Sequence, residues 1–322
     1  MSKHFAAAAT CFTLFCSSAL AEGLSDPLAW LSRISSAAQE LNYSGTFTYQ
    51  TGRIFETSRI THVNDDHVER ERLEVLDGSP RQVIRQGDTV WCVLPERKTV
   101  ITDHSVALQR VFPGRLPLKA SRIAENYTVS RQHVSRVAGL DAQLIVLDPR
   151  DDLRYGHMLW ADVATGLLLK ANMIDEAGAT IEQFKFNNVQ IGNEVALSGA
   201  EPPQLPLEEG WTLVSAQGDN VEDADGWRLS EPLPGFELEF VVRRPLGRDQ
   251  RDVMHMVYGD GLTSISVFIE PDADVKADRL GMVENGAINI YRRAVEGHLL
   301  TALGEVPPRA VKRIAHAMER EQ

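Results

Sequence analysis

Cysteine is almost missing from this chain. Of Cys11, Cys16 and Cys92, only the last lies outside the first sixteen residues. No internal disulfide can form in the body of the protein, and the lone thiol has no neighbouring histidine in a catalytic signature. The common catalytic patterns are missing too: no G-x-S-x-G, H-E-x-x-H, P-loop or G-x-G-x-x-G occurs. Positive charge is in deficit, with 33 Lys and Arg against 45 Asp and Glu. That balance argues against a nucleic-acid partner. Long apolar runs are confined to the amino terminus, so no later segment is expected to cross a bilayer.

That first run reads as a leader. Lys3 and His4 precede a small and apolar stretch, Phe5 to Leu20, which ends in Ala19-Leu20-Ala21 before Glu22. Phe15 stands where a small residue is expected before an acylated cysteine, so Cys16 is not read as a lipid anchor. The expectation is a signal peptide over 1–21, a mature chain starting at Glu22 without an acyl group, and a soluble periplasmic protein.

The organising stretch is 142–191. Short apolar runs, Ala142–Leu147, Arg154–Ala161, Leu167–Ile174 and Thr180–Ile191, are separated by turns bearing Asp and Gly. This is the pattern of an antiparallel meander. Leu167 and Leu169 fall on one side of their strand and Leu168 and Ile174 on the other. A sheet with both faces apolar is covered twice or encloses something. Upstream, Asp26-Pro27 caps a helix with Leu28, Leu31, Ile34, Ala38 and Leu41 on one stripe. Further strands run from Thr46 to Asp103, and Cys92 alternates with Trp91 and Val93 as a buried small hydrophobe. His104 to Lys119 breaks the alternation and reads as a short helix and loop over the sheet.

A proline-stiffened linker spans 193–212, around Glu201-Pro202-Pro203 and Pro206. It separates a large domain, 22–192, from a small one, 213–322. The small domain carries a strand at Glu237–Arg243, a hairpin through Gly259-Asp260-Gly261, two more strands, and a last helix after Pro307-Pro308 with Val311, Ile314, Ala315 and Met318 on one face. The fold class is α+β: a large half-open antiparallel β-barrel with helices, then a smaller α+β domain.

Candidate chemistry is thin, and no catalytic residue, cofactor or metal is assigned. His62 and His67 flank Asp65-Asp66 at a spacing that fits a turn and no zinc or calcium pattern. Asp151 or Asp152 is expected to pair with Arg150 or Arg154, and His157 to be structural. Aromatic material exceeds the needs of a one-sided sheet, so Phe47, Tyr49, Trp91, Phe112 and Trp160 are candidates for lining a lipid cavity. Arg97 to Arg136 is net +6 by count, and Arg110, Arg115, Lys119 and Arg122 are candidates for meeting lipid phosphates. Tyr258 and Asp260, at the tip of the second-domain hairpin, are candidates for contacting a partner.

Several strings are familiar. Asp148-Pro149-Arg150-Asp151 with Arg154-Tyr155-Gly156, and Tyr258-Gly259-Asp260-Gly261-Leu262 with Ser266-Val267-Phe268-Ile269-Glu270, resemble the RseB/MucB family. So do Ser44-Gly45-Thr46-Phe47-Thr48-Tyr49 and Gly304-Glu305-Val306-Pro307. The resemblance implies a periplasmic negative regulator of sigma-E and a large domain like the lipoprotein carriers LolA and LolB. It implies a partner, the periplasmic region of a membrane-bound anti-sigma factor of the RseA/MucA kind, which the regulator shields from proteolysis. It also implies outer-membrane lipid as the effector that releases it. The alternative is a periplasmic lipid or lipoprotein carrier of the LolA type, against which the second domain counts. The sequence leaves a homodimer open.

Overall fold

The computed structural model describes residues 26–65, 68–103, 120–192, 195, 209–216, 218–246, 251–272 and 276–321. Helix α1 (Pro27–Glu40) begins as its sequence dictates. Asp26 accepts a hydrogen bond from the Leu28 N–H at 2.9 Å, and Pro27 occupies a first-turn position whose N–H would have no partner. Trp30, Leu31, Ile34, Ala37 and Ala38 are buried on one side. Each large apolar side chain removed from water there contributes about 1.5–3 kcal/mol.

Eleven strands follow: β1 (Tyr43–Thr51), β2 (Ile54–Asp65), β3 (Val68–Val75), β4 (Gln82–Gln86), β5 (Thr89–Leu94), β6 (Thr99–Asp103), then, after α2 (Ala120–Asn126), β7 (Tyr127–Val137), β8 (Leu140–Pro149), β9 (Gly156–Asp162), β10 (Leu168–Ile174) and β11 (Thr180–Ile191). A twelfth, β12 (Thr212–Ser215), completes a sheet of order β12-β6-β5-β4-β3-β2-β1-β11-β10-β9-β8-β7. Its two edge strands, β12 and β7, are not paired with each other among the described residues, so the barrel is open. β1 joins the two halves, with Phe47 opposite Ser58 on β2 and Phe186 on β11.

The expected double-sided burial is present. Leu168 packs with α1 and α2 beside Ile145, Leu147 and Leu159. Leu167 and Leu169 belong to a second cluster with Phe47, Trp160, Phe184 and Phe186.

The second domain is a seven-stranded sheet, order β13-β15-β16-β17-β20-β19-β18. Its strands are β13 (Asp219–Asn220), β14 (Trp227–Leu229), β15 (Glu237–Leu246), β16 (Arg251–Gly259), β17 (Ser264–Pro271), β18 (Gly281–Asn285), β19 (Ile288–Val295) and β20 (His298–Gly304); β14 instead pairs with β21 (Met318–Arg320). Helix α3 (Pro308–Ala317) buries Ala310, Val311, Ile314 and Ala315 against Val267, Leu300 and Ala302.

Three details differ from the sequence expectations, and a fourth expectation falls on residues that are not described. Thr212–Ser215, which begins on the last residue of the expected linker, pairs in parallel with β6 of the first domain. The strand expected from Arg154 begins at Gly156, because Arg154 turns into the second domain. Cys92 is a half-buried free thiol rather than a buried one. The helix and loop expected over 104–119 lie outside the described residues.

Candidate functional site

The site is the junction between the domains, and it is built from two turns. Pro149 ends β8, and Asp151 then folds the chain back by accepting the Leu153 N–H at 3.0 Å. Leu153 is thereby delivered to the core of the second domain. On the other side, the Asp260 carboxylate accepts the N–H groups of Leu262 and Thr263 at 2.9 and 2.8 Å. That turn delivers Leu262 to the core of the first domain, beside Trp30 and Ile145. Each domain therefore completes the other's core with one leucine.

Arg154 and Asp260 meet between these leucines. The Arg154 Nε donates to Asp260 Oδ2 at 2.7 Å, and both side chains are 0% exposed. A second Arg154 nitrogen donates to Asp151, and Nη2 donates to the Pro234 carbonyl at 2.7 Å. The guanidinium also lies over the Phe236 ring, 4.6 Å from its centroid. Burying a charge is costly unless it is paired and hydrogen-bonded. Here one cation meets two carboxylates, a carbonyl and a ring.

The cluster extends along α2 and β7. The Tyr127 hydroxyl donates to Asp260 at 3.1 Å, and Asn126 Nδ2 donates to the Asp260 carbonyl at 3.2 Å. Burial, with the Asp260 charge added, holds the Tyr127 hydroxyl well above its ordinary pKa. Gly235 has φ +73, and a Cβ there would overlap Asn126 and Arg154. Only glycine lets that backbone sit so close. Nearer the surface, Arg309 bridges Asp152 and Glu176 at 2.6 and 2.5 Å. Asn289 donates to the Tyr155 hydroxyl at 3.1 Å.

Beside this cluster lies a half-open cavity of about 300 Å³, lined by residues of both domains. Leu159, Phe184, Leu262 and Leu303 supply apolar wall, and Glu182, Glu239, Glu305 and His157 supply polar groups. Burial and the charge of Glu305 push Glu182 up to about 7. Burial pushes Glu305 up as well and pulls His157 down to about 4. Among the described residues no Lys or Arg lines this cavity, and its carboxylates have the wrong sign for a phosphate.

The predicted residues are not gathered there. Phe47 is a core residue, its ring 4.9 Å from Phe184. Tyr49 neighbours the cavity through Glu182, whose charge adds to burial in raising the Tyr49 hydroxyl. Trp91 is half-buried on β5. Trp160 lies under the Lys170 ammonium, 4.2 Å from the ring centroid. Phe112, Arg110, Arg115 and Lys119 fall outside the described residues. Arg122 is at the junction, donating to the Gly259 carbonyl at 2.8 Å and pairing with Glu237 at 3.1 Å. Tyr258 and Asp260 require a correction: their side chains do not project into solvent. Tyr258 sits in the second-domain core at 4% exposure and Asp260 is fully buried against the first domain. A glycine-flanked turn signals geometry, and it says nothing of what the turn meets.

Sequence reasoning anticipated the Arg154–Asp151 pair but missed Asp260 as its second partner. It also missed Tyr127, Asn126, Glu182 and Glu305. The one available signal was a run of acid and base, Asp151-Asp152-Leu153-Arg154, beside a proline that ends a strand.

An open sheet locked to a small second domain by a buried ion pair defines a two-domain protein with a hydrogen-bonded, charged domain junction. The family description "MucB/RseB N-terminal domain" matches residues 26–205, and "MucB/RseB C-terminal domain" matches 221–319. The sigma factor AlgU regulatory protein MucB of Pseudomonas aeruginosa is 31% identical over 304 residues, 92% of each chain. The sigma-E factor regulatory protein RseB of Escherichia coli K12 is 26% identical over 291 residues, 89% of this chain and 88% of RseB. The solved complex of Pseudomonas aeruginosa MucA/MucB is similar with a TM-score of 0.72, at 28% identity, covering 92% of this chain and 99% of that one. MucB in complex with MucA(peri) gives 0.70, at 28% identity and 92% and 100% coverage. The chain belongs to the MucB/RseB family.

Proposed function

We propose that this chain is a periplasmic regulator of an envelope-stress sigma factor, acting by binding the periplasmic region of a membrane-bound anti-sigma factor. One observation carries the reading: both domains match, in one chain, a relative solved with MucA(peri). A carrier of the LolA type would need only the large domain. The leader over 1–21 supports export, and no helix among the described residues is long and apolar enough to cross a membrane.

Two finer steps complete the proposal. The bound anti-sigma segment is shielded from proteolysis, and outer-membrane lipid opposes binding. Lipid and partner compete only by overlapping or by favouring different domain arrangements, and the coupling is reciprocal. A coupling of about 1–3 kcal/mol weakens the partner roughly 5- to 150-fold, enough to expose it.

The test is calorimetric titration of the anti-sigma periplasmic region into the mature chain, with and without outer-membrane lipid, alongside a protease-protection assay on the bound segment. Binding weakened by lipid is the expected result. Equal affinity with and without lipid removes the switch, and no binding at all favours the carrier. Intact-mass measurement of the exported protein should give a chain starting at Glu22; a lipidated Cys16 would refute that export route.

A further inference from the structure

The interdomain cavity holds groups that the regulatory reading leaves unused. Glu182 on β11 and Glu305, just after β20, enter it from opposite domains, and Glu239 of β15 adds a third carboxylate. Glu182 Oε2 and His157 Nε2 are each shut off from solvent without a hydrogen-bond partner. Two carboxylates in one partly buried cavity repel each other, and each loses hydration. A proton relieves one of them. A single cation would relieve both, with a charge-assisted hydrogen bond to each. The walls, Leu159, Phe184 and Leu303 among them, would accept an apolar stem but no second charge.

We propose that this cavity binds an organic monocation, an ammonium group carried on a short alkyl stem, with Glu182 and Glu305 as its counter-charges and His157 Nε2 as a further polar contact. A volume of about 300 Å³ admits a stem of side-chain length. The shared chemistry has two sources, a free alkylamine or a lysine side chain of another protein. The proposal does not depend on the anti-sigma reading, because it rests on this cavity alone.

Binding a cation must expel the proton that the carboxylate pair otherwise holds. The ionisable neighbours are Tyr49 from β1, Glu239 from β15 and His157 from β9, with the Arg154–Asp260 pair behind the turn that brings in Leu262. Tyr49 is held neutral by burial, and His157 is neutral above its depressed pKa. Glu182, raised to about 7, is therefore the group that changes charge near neutrality, with Glu305 raised beside it.

The experiment titrates the full mature chain with hexylammonium and with Nα-acetyl-lysine amide at pH 6 and pH 8, using hexanol and hexanoate as neutral and anionic controls. Both ammonium ligands should bind about ten-fold more tightly at pH 8, since one carboxylate must ionise. Hexanol should bind at least about ten-fold more weakly than hexylammonium, the cost of a lost charge-assisted bond. Hexanoate should not bind. Tighter binding of hexylammonium points to a free amine as the ligand, and tighter binding of the lysine derivative to a protein side chain. Glu182→Gln and Glu305→Gln, each shown to be folded by thermal melting, should weaken both by about ten-fold or more. The wild-type pH comparison stands without any variant. The site is overturned if neither amine binds, if hexanol matches hexylammonium, or if affinity is the same at both pH values.

Discussion

Arg154 carries a full charge to a place where no water reaches, and everything around it is arranged to make that tolerable. Its removal is the sharpest test of the junction. Arg154→Met leaves Asp260 buried with Tyr127 as its remaining side-chain donor, and Asp260→Leu leaves the guanidinium short of its second carboxylate. Breaking a buried pair from one side costs about 3–5 kcal/mol, whereas replacing both partners with apolar groups of similar volume is often near neutral. Urea denaturation should therefore show each single variant strongly destabilised and the double variant, Arg154→Met with Asp260→Leu, losing less than the sum of the two. The double variant still falls short of neutral, because the Leu262, Thr263 and Tyr127 donors lose Asp260 in it as they do in Asp260→Leu. Additive losses would mean that the two residues act separately. The pair itself was invisible in the sequence, since its members are 106 positions apart. What could be read was local: aspartates beside glycines and prolines make turns, and both turns exist. Their burial depends on what each turn meets, and that is a tertiary fact.

At the level of elements, periodicity succeeded wherever a segment's partner is its sequence neighbour. The hairpins from β1 through β6, the meander from β8 to β11, and both long helices follow alternation, caps and breakers. It failed where pairing is distant. β1 reaches β11 across most of the first domain, and β12 returns to lie parallel with β6. That last strand is short, and its ladder is flanked by Thr212 N–H to the Lys98 carbonyl and Ala216 N–H to the Thr102 carbonyl, each 2.8 Å. Ala216→Pro deletes one of these donors and cannot supply another. Hydrogen exchange should then quicken at β12 and along the outer edge of β6, while protection in β8 to β11 is unchanged. Unaltered exchange at β12 would show that the ladder does not hold it. The aromatic candidates illustrate the same limit. Alternation places Phe47 on one face of its strand, but whether that face meets a ligand or Phe184 and Phe186 depends on strand order.

For the whole molecule, the buried ionisable groups set opposing pH dependences. Glu182 is raised from 4.5 to about 7, and Glu305 is raised too. The folded state holds their protons more tightly than the unfolded chain does. The stabilising contribution of Glu182 is complete below the unfolded carboxylate pKa and is lost as pH climbs through about 7, and that of Glu305 is lost as pH rises in the same direction. The histidines act the other way. Burial lowers His157 from 6.5 to about 4, and burial with the Arg244 charge lowers His255 to about 3. Their contribution is complete above the unfolded histidine pKa and is lost as pH falls through those folded values. Between about pH 4.5 and 6.5 the two trends offset each other; above that window the carboxylates alone are changing. The Tm of the mature chain should therefore fall from pH 6.5 to pH 8, and Glu182→Gln should flatten most of that fall while leaving the acid limb in place. The acid limb, below about pH 4, belongs to the histidines together with the ordinary loss of carboxylate ion pairs. A wild-type Tm that rises from pH 6.5 to 8, or an unchanged slope in Glu182→Gln, would show that the two carboxylates do not repel across the junction. A flattened slope would place the most pH-sensitive part of the molecule at the contact between its domains, where any change of domain arrangement must begin.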